Sequence, residues 1–587
     1  MFQYSNNLDL YLSILKSLIL IVYLLISGKF ISKNFGLIEW SSEFRFFHVI
    51  VSYVFHSILI NYLIFFNFNF KDYLNIFLYI IIFSTILYSF YFFFKKSFKI
   101  NIPKNNFSRF IYLVLVLYFF LSLAPITSAD SLDYHLGVPL SIFKYGKVFD
   151  PLWFHSGLAG ISDYFLIISI SLKAEQLGNL IQYFALLSII ELYWIEKGNK
   201  SINNINLFIS LVITIPVILF LASSPKPQLG SIAIAIIIFF LILKIKKLKF
   251  RIFVLLSILI IYLSLTKINF ILTAFFLSLS LLLKIDKRKI FSYAIVFIFI
   301  ILFLYFPLVA YKLKIPNSNF LDILLPIPHS FPGLINFITY LRTYNESIFP
   351  FPISLILPSS LGNFTTILGV NLLILLYLYF KSKIEYNPNF FIIIVYLALN
   401  IFLGQKTSRF FLEIYLFLLL YYFLYANHIN INLKIIYQIQ FIQLIIFSII
   451  LFYCLFNLTI GNINLKNRES VLNHNANGYK LATWVNSLIP DSSKLLLEHR
   501  SVTLFKQHIY SADWSYYINN NELSFYDSII KKNHFNYILI LNDTPQNSLL
   551  YKYCSKLKYG PFEDTTLNRN PFRAKIIKKG WIYEAVK

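Results

Sequence analysis

From residue 10 to residue 457 the chain is a succession of long apolar runs separated by short polar loops, and this pattern excludes most ways a polypeptide can fold. An α-helix needs about 20 mostly apolar residues to cross the ~30 Å hydrocarbon core of a bilayer. Fourteen segments approach or reach that length: 10–27, 46–66, 74–94, 108–126, 176–195, 206–222, 229–243, 251–266, 268–283, 290–311, 365–380, 389–404, 409–426 and 435–457. Hydrophobic residues make up 58% of the chain, far beyond what an aqueous core requires. The expected fold class is an α-helical polytopic membrane protein of about 14 transmembrane helices, with a small C-terminal extracytoplasmic α/β domain.

The formal charge of +25 would suggest nucleic acid in a soluble protein, but its placement argues otherwise. One alternate set of loops (28–45, 95–109, 196–205, 244–251, 284–289, 381–385 and 427–434) carries 22 Lys and Arg. The opposite set (67–73, 127–175, 223–228, 267, 312–364 and 405–409) carries 11 over more residues. Positive residues collect on the cytoplasmic side. The first set is therefore expected inside, and the long loops 127–175 and 312–364, the N-terminus and the tail outside. Segment 10–27 lacks a basic flank and a small-residue cleavage site, so it reads as a span rather than a cleaved signal. The expected partners are membrane lipids, with no nucleic acid. The expected location is the bacterial plasma membrane. Cys454 and Cys554, the two cysteines, offer no disulfide framework and no CxxC metal site.

The organisation divides near residue 465: a membrane domain over 1–465, then a polar tail over 466–587. In the tail, Tyr479–Ile489 has apolar residues at helical spacing and ends at Pro490-Asp491. Lys494–Glu498 and Tyr537–Leu541 read as buried strands, with a helix expected over 521–532 and a hairpin from Ala574 to Val586. In loop 127–175, the apolar piece Tyr164–Leu172 is too short to span and reads as a helix lying along the membrane interface. Loop 312–364, rich in proline and aromatics, suits an ordered lining for a cavity at headgroup level.

Polar chemistry concentrates at Asp130-Ser131-Leu132-Asp133-Tyr134-His135, on the expected outer face. If this stretch continues as helix, Asp130, Asp133 and Tyr134 share one face at i, i+3 and i+4. Carboxylates there suit a general base or a ligand to a divalent cation, magnesium or manganese. His135 could orient a carboxylate or bind substrate. The plainer reading is a solvated helix cap. A second set is cationic: Lys226, Lys267 and Arg409 lie in outer loops, where basic residues are usually scarce. They suit a lipid phosphate through charge-assisted hydrogen bonds, and the plainer alternative is snorkelling to the headgroups. An acid to deprotonate a hydroxyl and cations to hold a departing phosphate together suit sugar transfer from a lipid carrier.

At these residues the chain resembles the GT-C class of integral-membrane glycosyltransferases, relatives of the dolichyl-phosphate-mannose protein mannosyltransferases. Asp130 followed by Tyr134-His135-Leu136 is similar to the motif of their first large outer loop. Gln176–Ala185, Thr266-Lys267 and the stretch from Gln405 through Arg409-Phe410-Phe411 resemble later segments. Relatives carry a second acid in a Pro-x-x-Glu setting. Here Gly160-Ile161-Ser162-Asp163 offers Asp163 instead. Relatives also often place an Asp around Lys226-Pro227-Gln228, and have their acidic loop after the first span rather than the fourth. The resemblance implies Asp130, Asp133 and His135 as catalytic candidates and Tyr134, Asp163, Lys226, Lys267, Gln405 and Arg409 as substrate-binding ones. It implies a polyprenyl-phosphate sugar donor and a glycan, lipid or protein acceptor in cell-surface glycan assembly. Two other classes share the gross architecture. A polysaccharide polymerase or ligase also uses outer-face arginines and a large outer loop. A lipid-linked glycan flippase or transporter should show inverted repeats and mid-span charges.

Overall fold

The computed structural model describes residues 2–37, 45–66, 105–146, 148, 152–196, 200–315, 319, 322, 325, 331–343, 348–404, 406–428, 433–518, 523–544, 546, 548–567 and 575–586. Segment 74–94, expected to be a span, falls outside them, as do Gln405 and parts of loop 312–364.

In chain order, α1 (Asn7–Asn34), α2 (Phe47–Phe65) and α3 (Asn106–Ser122) come first. Loop 127–175 holds α4 (Leu136–Tyr145), α5 (Ile161–Tyr164) and α6 (Leu166–Leu172). Then follow α7 (Leu177–Ile195), α8 (Ile202–Ile213), α9 (Pro216–Ala222), α10 (Gln228–Lys244), α11 (Phe250–Thr266), α12 (Phe270–Leu282) and α13 (Ile290–Leu313). After α14 (Leu334–Thr343) come α15 (Val370–Lys381), α16 (Pro388–Phe402), α17 (Ser408–Tyr425) and α18 (Leu433–Leu458). The protein is thus a mostly helical, polytopic membrane protein.

Every described apolar segment is helical, but not every helix is a full span. Six helices among the described residues, α1, α2, α7, α13, α17 and α18, are long and apolar enough to cross a bilayer. The pair α8 and α9 makes a seventh if taken as one broken span. The sequence reads 206–222 as one continuous span, and here the structure differs. Pro216 has no N–H for the helix ladder and forces Ile215 into an extended conformation (φ −77°, ψ 119°), so the two halves meet at 72°. The remaining apolar helices stop short at polar caps such as Asn387 before Pro388 and Lys267 after Thr266. The Tyr164–Leu172 piece does not lie open along an interface. Leu166, Ile167 and Ile168 are all buried in protein.

The tail begins with α19 (Leu465–Asn475) and α20 (Tyr479–Leu488) and is built on five strands, with α21 (Leu523–Asn533) between the second and third of them in sequence. Two short strands pair in the membrane part, β1 (Lys383–Ile384) with β2 (Ala426–His428). In the tail, β3 (Lys494–Leu497), β4 (His508–Ser511), β5 (Tyr537–Leu541), β6 (Cys554–Leu567) and β7 (Lys575–Ala585) form one sheet in the order β4-β3-β5-β7-β6. Strand β3 pairs parallel with both β4 and β5, whereas β7 is antiparallel to β5 and β6. The hairpin expected within Ala574–Val586 is instead one strand, β7, whose antiparallel partner β6 lies wholly upstream of Ala574. The expected strands at 494 and 537 carry unbroken apolar runs, Leu495–Leu497 and Ile538–Leu541, because both faces are covered. Leu495, Leu497, Leu539 and Leu541 pack with Leu481 and Val485 of α20 and with Val138, Ile142 and Trp153 of loop 127–175. On the other face, Leu496, Ile538 and Ile540 pack with Tyr526 and Ile530 of α21 and with Leu152, Phe154 and Phe337. Loop 127–175 therefore contributes to both cores of the tail sheet, and α14 to the second.

Candidate functional site

Past α3 the chain does not continue as regular helix. Ser131–His135 forms a π-helical turn, and Asp133 within it has φ −84° and ψ −110°. Pro139, in the first turns of α4, offers no N–H to the carbonyl of His135 and crowds it, which favours a wider turn. The expected shared face is split as a result. Asp130 and Tyr134 face a cavity, while Asp133 turns into the protein and is 1% exposed.

The cavity has a volume of about 640 Å³ and lies beneath the tail, between loop 127–175 and the ends of α9, α11, α12, α13, α16 and α17. Asp130, Tyr134, Lys226, Lys267, Arg409 and Arg500 all line it. Asp130 is bound on both oxygens. Lys226 Nζ donates to Oδ2, and Arg500 Nη2 donates to Oδ1 at 2.7 Å. Arg500 comes from the tail, three residues past β3. Its Nε lies 3.2 Å from Oδ2 of Asp133, so one planar guanidinium spans both carboxylates. Burial opposes the charge on Arg500, and Asp130 and Asp133 more than offset it, so its pKa is raised. Lys226 is itself buried, with its ammonium 4.6 Å from the Phe220 ring centroid.

Lys267 and Arg409 differ from that pair. Among the described residues neither has a carboxylate within ion-pair distance; Lys267 stands over the Tyr134 ring at 5.9 Å and Arg409 over Phe410 at 5.2 Å. Burial pushes the Lys267 ammonium down to about 8; Asp163 opposes that shift, and the neighbouring charges of Lys226 and Arg409 add to it. The position of Lys267 depends on Gly160. A Cβ there would lie 2.0 Å from the carbonyl oxygen of Thr266, so only glycine lets loop 157–161 pack onto the end of α11.

Behind the wall lie two buried groups. His135 Nδ1 is 2.7 Å from Oδ1 of Asp163, whose Oδ2 accepts from Gly160 N at 2.9 Å; both side chains are fully buried. Burial pushes the His135 imidazole down to about 4 despite the opposing pull of Asp163. The second group joins loop and tail. Trp153 Nε1 donates to Asp133 Oδ1 at 3.0 Å, and His155 Nδ1 lies 3.3 Å from Asp133 Oδ2 and 2.8 Å from Asp513 Oδ2. Asp513, in the tail, also accepts from the backbone N–H groups of Phe154 and His155, each at 2.7 Å. Burial pushes the Asp133 carboxyl up to about 6, against the pull of His155 and Arg500.

Of the sequence candidates, the cavity gathers Asp130, Tyr134, Lys226, Lys267 and Arg409. It does not include Asp133, His135 or Asp163, which sit one layer back, and Gln405 lies outside the described residues. Sequence reasoning missed Arg500, Asp513 and the role of His155. A signal for Arg500 was present. It follows directly on a buried parallel strand, and the carboxyl ends of such strands are where α/β sheets place functional groups. A divalent cation does not fit the wall. Among the described residues no group of three or more His, Cys, Asp or Glu could hold one, and the carboxylate of Asp130 is already held by two cations.

Fold and site together define a polytopic membrane protein in which loop 127–175, several helix ends and the tail enclose a cationic cavity. Its sequence matches the DUF1420 N-terminal domain over residues 22–472 and the DUF1420 C-terminal domain over residues 473–579. The chain belongs to the DUF1420 family. Among solved structures, the crystal structure of ArnT from Cupriavidus metallidurans bound to undecaprenyl phosphate is similar, at 10% identity and a TM-score of 0.45, covering 81% of this chain and 97% of that one. No curated protein sequence matches.

Proposed function

We propose that this protein is a membrane glycosyltransferase that moves a sugar from a polyprenyl-phosphate donor to an acceptor on the outer face of the bacterial plasma membrane. The observation that carries this reading is the charge balance of the cavity. Lys226 and Arg500 are matched by Asp130 and Asp133, whereas Lys267 and Arg409 have no such partner among the described residues. Two unmatched cations suit a phosphate monoester, the group that leaves when a polyprenyl-phosphate sugar reacts. Arg409 lies in the first turn of α17, where the helix dipole disfavours a cation and favours an anion, so a bound phosphate would gain from both. Apolar residues on the same wall, among them Val217, Phe220, Leu272 and Leu308, suit the first isoprene units.

In the proposed reaction the acceptor oxygen bonds to the anomeric carbon on the face opposite the phosphate. The carbon–oxygen bond to phosphate breaks, and its electron pair leaves with polyprenyl phosphate, steadied by Lys267 and Arg409. Asp130 must loosen two ion pairs to take up a proton. It therefore serves best as a fixed negative charge that orients the acceptor hydroxyl and supports positive charge developing at the anomeric centre. The test is an assay of the purified protein with a labelled polyprenyl-phosphate sugar and membrane or glycan acceptors. Transfer that Arg409→Ala and Lys267→Ala abolish supports the reading; release of no sugar from any such donor refutes it.

A further inference from the structure

The proton of the acceptor hydroxyl needs a destination, and the wall offers a better one than Asp130. His155 also lines the cavity, with its ring centroid 6.4 Å from that of Tyr134 and a side chain 10% exposed. Its Nδ1 is enclosed between two carboxylates, Asp133 Oδ2 at 3.3 Å and Asp513 Oδ2 at 2.8 Å. Neither contact has the alignment of a full hydrogen bond, so Nδ1 is held chiefly by charge. Two acceptors beside Nδ1 assign the proton of the neutral ring to that atom and leave the lone pair on Nε2. Among the described residues Nε2 meets the Tyr517 hydroxyl alone, at 3.5 Å, a long contact that an incoming hydroxyl can replace. The backbone N–H of His155 is fixed by the same Asp513 carboxylate, so tail and loop together set the ring.

We infer that His155 is the proton acceptor of the transfer step and that Asp513, from the tail, is its positioning residue. This rests on the transferase reading above. As the acceptor oxygen bonds to the anomeric carbon and the phosphate departs with the electron pair of the broken bond, the hydroxyl proton passes to Nε2. The imidazolium that forms lies between Asp133 and Asp513, which stabilise its charge, while the Arg500 guanidinium and the Tyr517 hydroxyl complete its surroundings. A general base needs a lone pair within hydrogen-bond reach of the proton it takes, and Nε2 supplies that lone pair.

The test uses the full-length protein in nanodiscs with a polyprenyl-phosphate sugar donor. His155→Gln is expected to slow transfer by about 10²–10⁴-fold with donor binding retained. Added imidazole is expected to restore part of the rate in His155→Ala, in proportion to its free-base form, which a merely structural histidine would not show. Independently of turnover, carbethoxylation of His155 by diethyl pyrocarbonate, read by mass spectrometry across pH, should shift its profile in Asp513→Asn. Wild-type transfer by His155→Gln overturns the inference, and so does a slow His155→Ala that imidazole leaves unchanged. An unaltered carbethoxylation profile in Asp513→Asn removes Asp513 from its role. A wild-type protein that transfers no sugar refutes the transferase reading instead, and the carbethoxylation measurement still decides whether Asp513 sets the ring.

Discussion

Arg500 Nη2 lies 2.7 Å from Asp130 Oδ1, across 370 positions of sequence. The tail is thereby part of the cavity wall. Replacing Arg500 by Ala should leave Asp130 and Asp133 facing each other with one cation fewer and lower turnover sharply. Lys at 500 should recover only part, because an ammonium cannot span both carboxylates as the guanidinium does. Turnover of the two variants, compared at equal protein in membranes, checks this. Equal rates for Ala, Lys and Arg would place Arg500 outside the reaction.

Lys267 and Arg409 should govern donor affinity. Loss of one charge-assisted hydrogen bond to phosphate corresponds to roughly 10- to 100-fold weaker binding. Polyprenyl phosphate binding to Lys267→Ala and Arg409→Ala, followed by intrinsic fluorescence, should show that drop. Asp130→Asn should bind the lipid about as well as the wild type and lose turnover.

The buried His135–Asp163 pair should make stability depend on pH. The unfolded imidazole takes up a proton near its ordinary value, whereas the folded one resists down to about 4. The stabilising contribution is therefore complete above the unfolded value and is lost as pH falls through that window, on the order of 3 kcal/mol in all. The unfolding midpoint should fall between pH 6.5 and 4, and less steeply in His135→Gln. Identical slopes would show that other groups dominate the window.

Phe154 is fully buried among tail residues, stacked on Tyr517 at 5.9 Å and packed in the core that holds Trp514 and Tyr526. Phe154→Ala, a change in the loop, should destabilise the tail by about 3–5 kcal/mol. Limited proteolysis of intact membranes should then cut within 466–587 at lower protease. For the same reason the isolated tail should be less stable than the docked one.

The expected sidedness rests on the 22-to-11 distribution of loop cations. With both native cysteines replaced, a cysteine at Lys506 should react with an impermeant thiol reagent from outside, and one at Lys247 only after the membrane is opened. The reverse pattern would invert the proposed orientation.

The helices were legible because a membrane span needs only length and apolarity, and that is why 176–195 and 290–311 became α7 and α13 nearly to the residue. The break at Pro216 was legible in principle, but an apolar run on both sides of the proline conceals it. The split of Asp130 from Asp133 was not legible, because the π turn arises from a proline several residues downstream and from packing. Lys226, Lys267 and Arg409 stood out because cations are scarce on that side. Arg500 did not, because in a polar tail one more arginine is ordinary until the sheet shows where it points. Strand β4 was missed for a similar reason. His508 and Ser511 interrupt its apolar character, and its pairing with β3 is long-range.

Asp130 leaves the ribosome hundreds of residues ahead of Arg500. Until the last strands have been synthesised and the sheet has closed over the loop, the carboxylate lacks one of its two cations and His155 lacks Asp513. A nascent or prematurely terminated chain would thus sit in the membrane with its membrane helices in place and its cavity unfinished, so the site comes into being only when synthesis of the tail is complete.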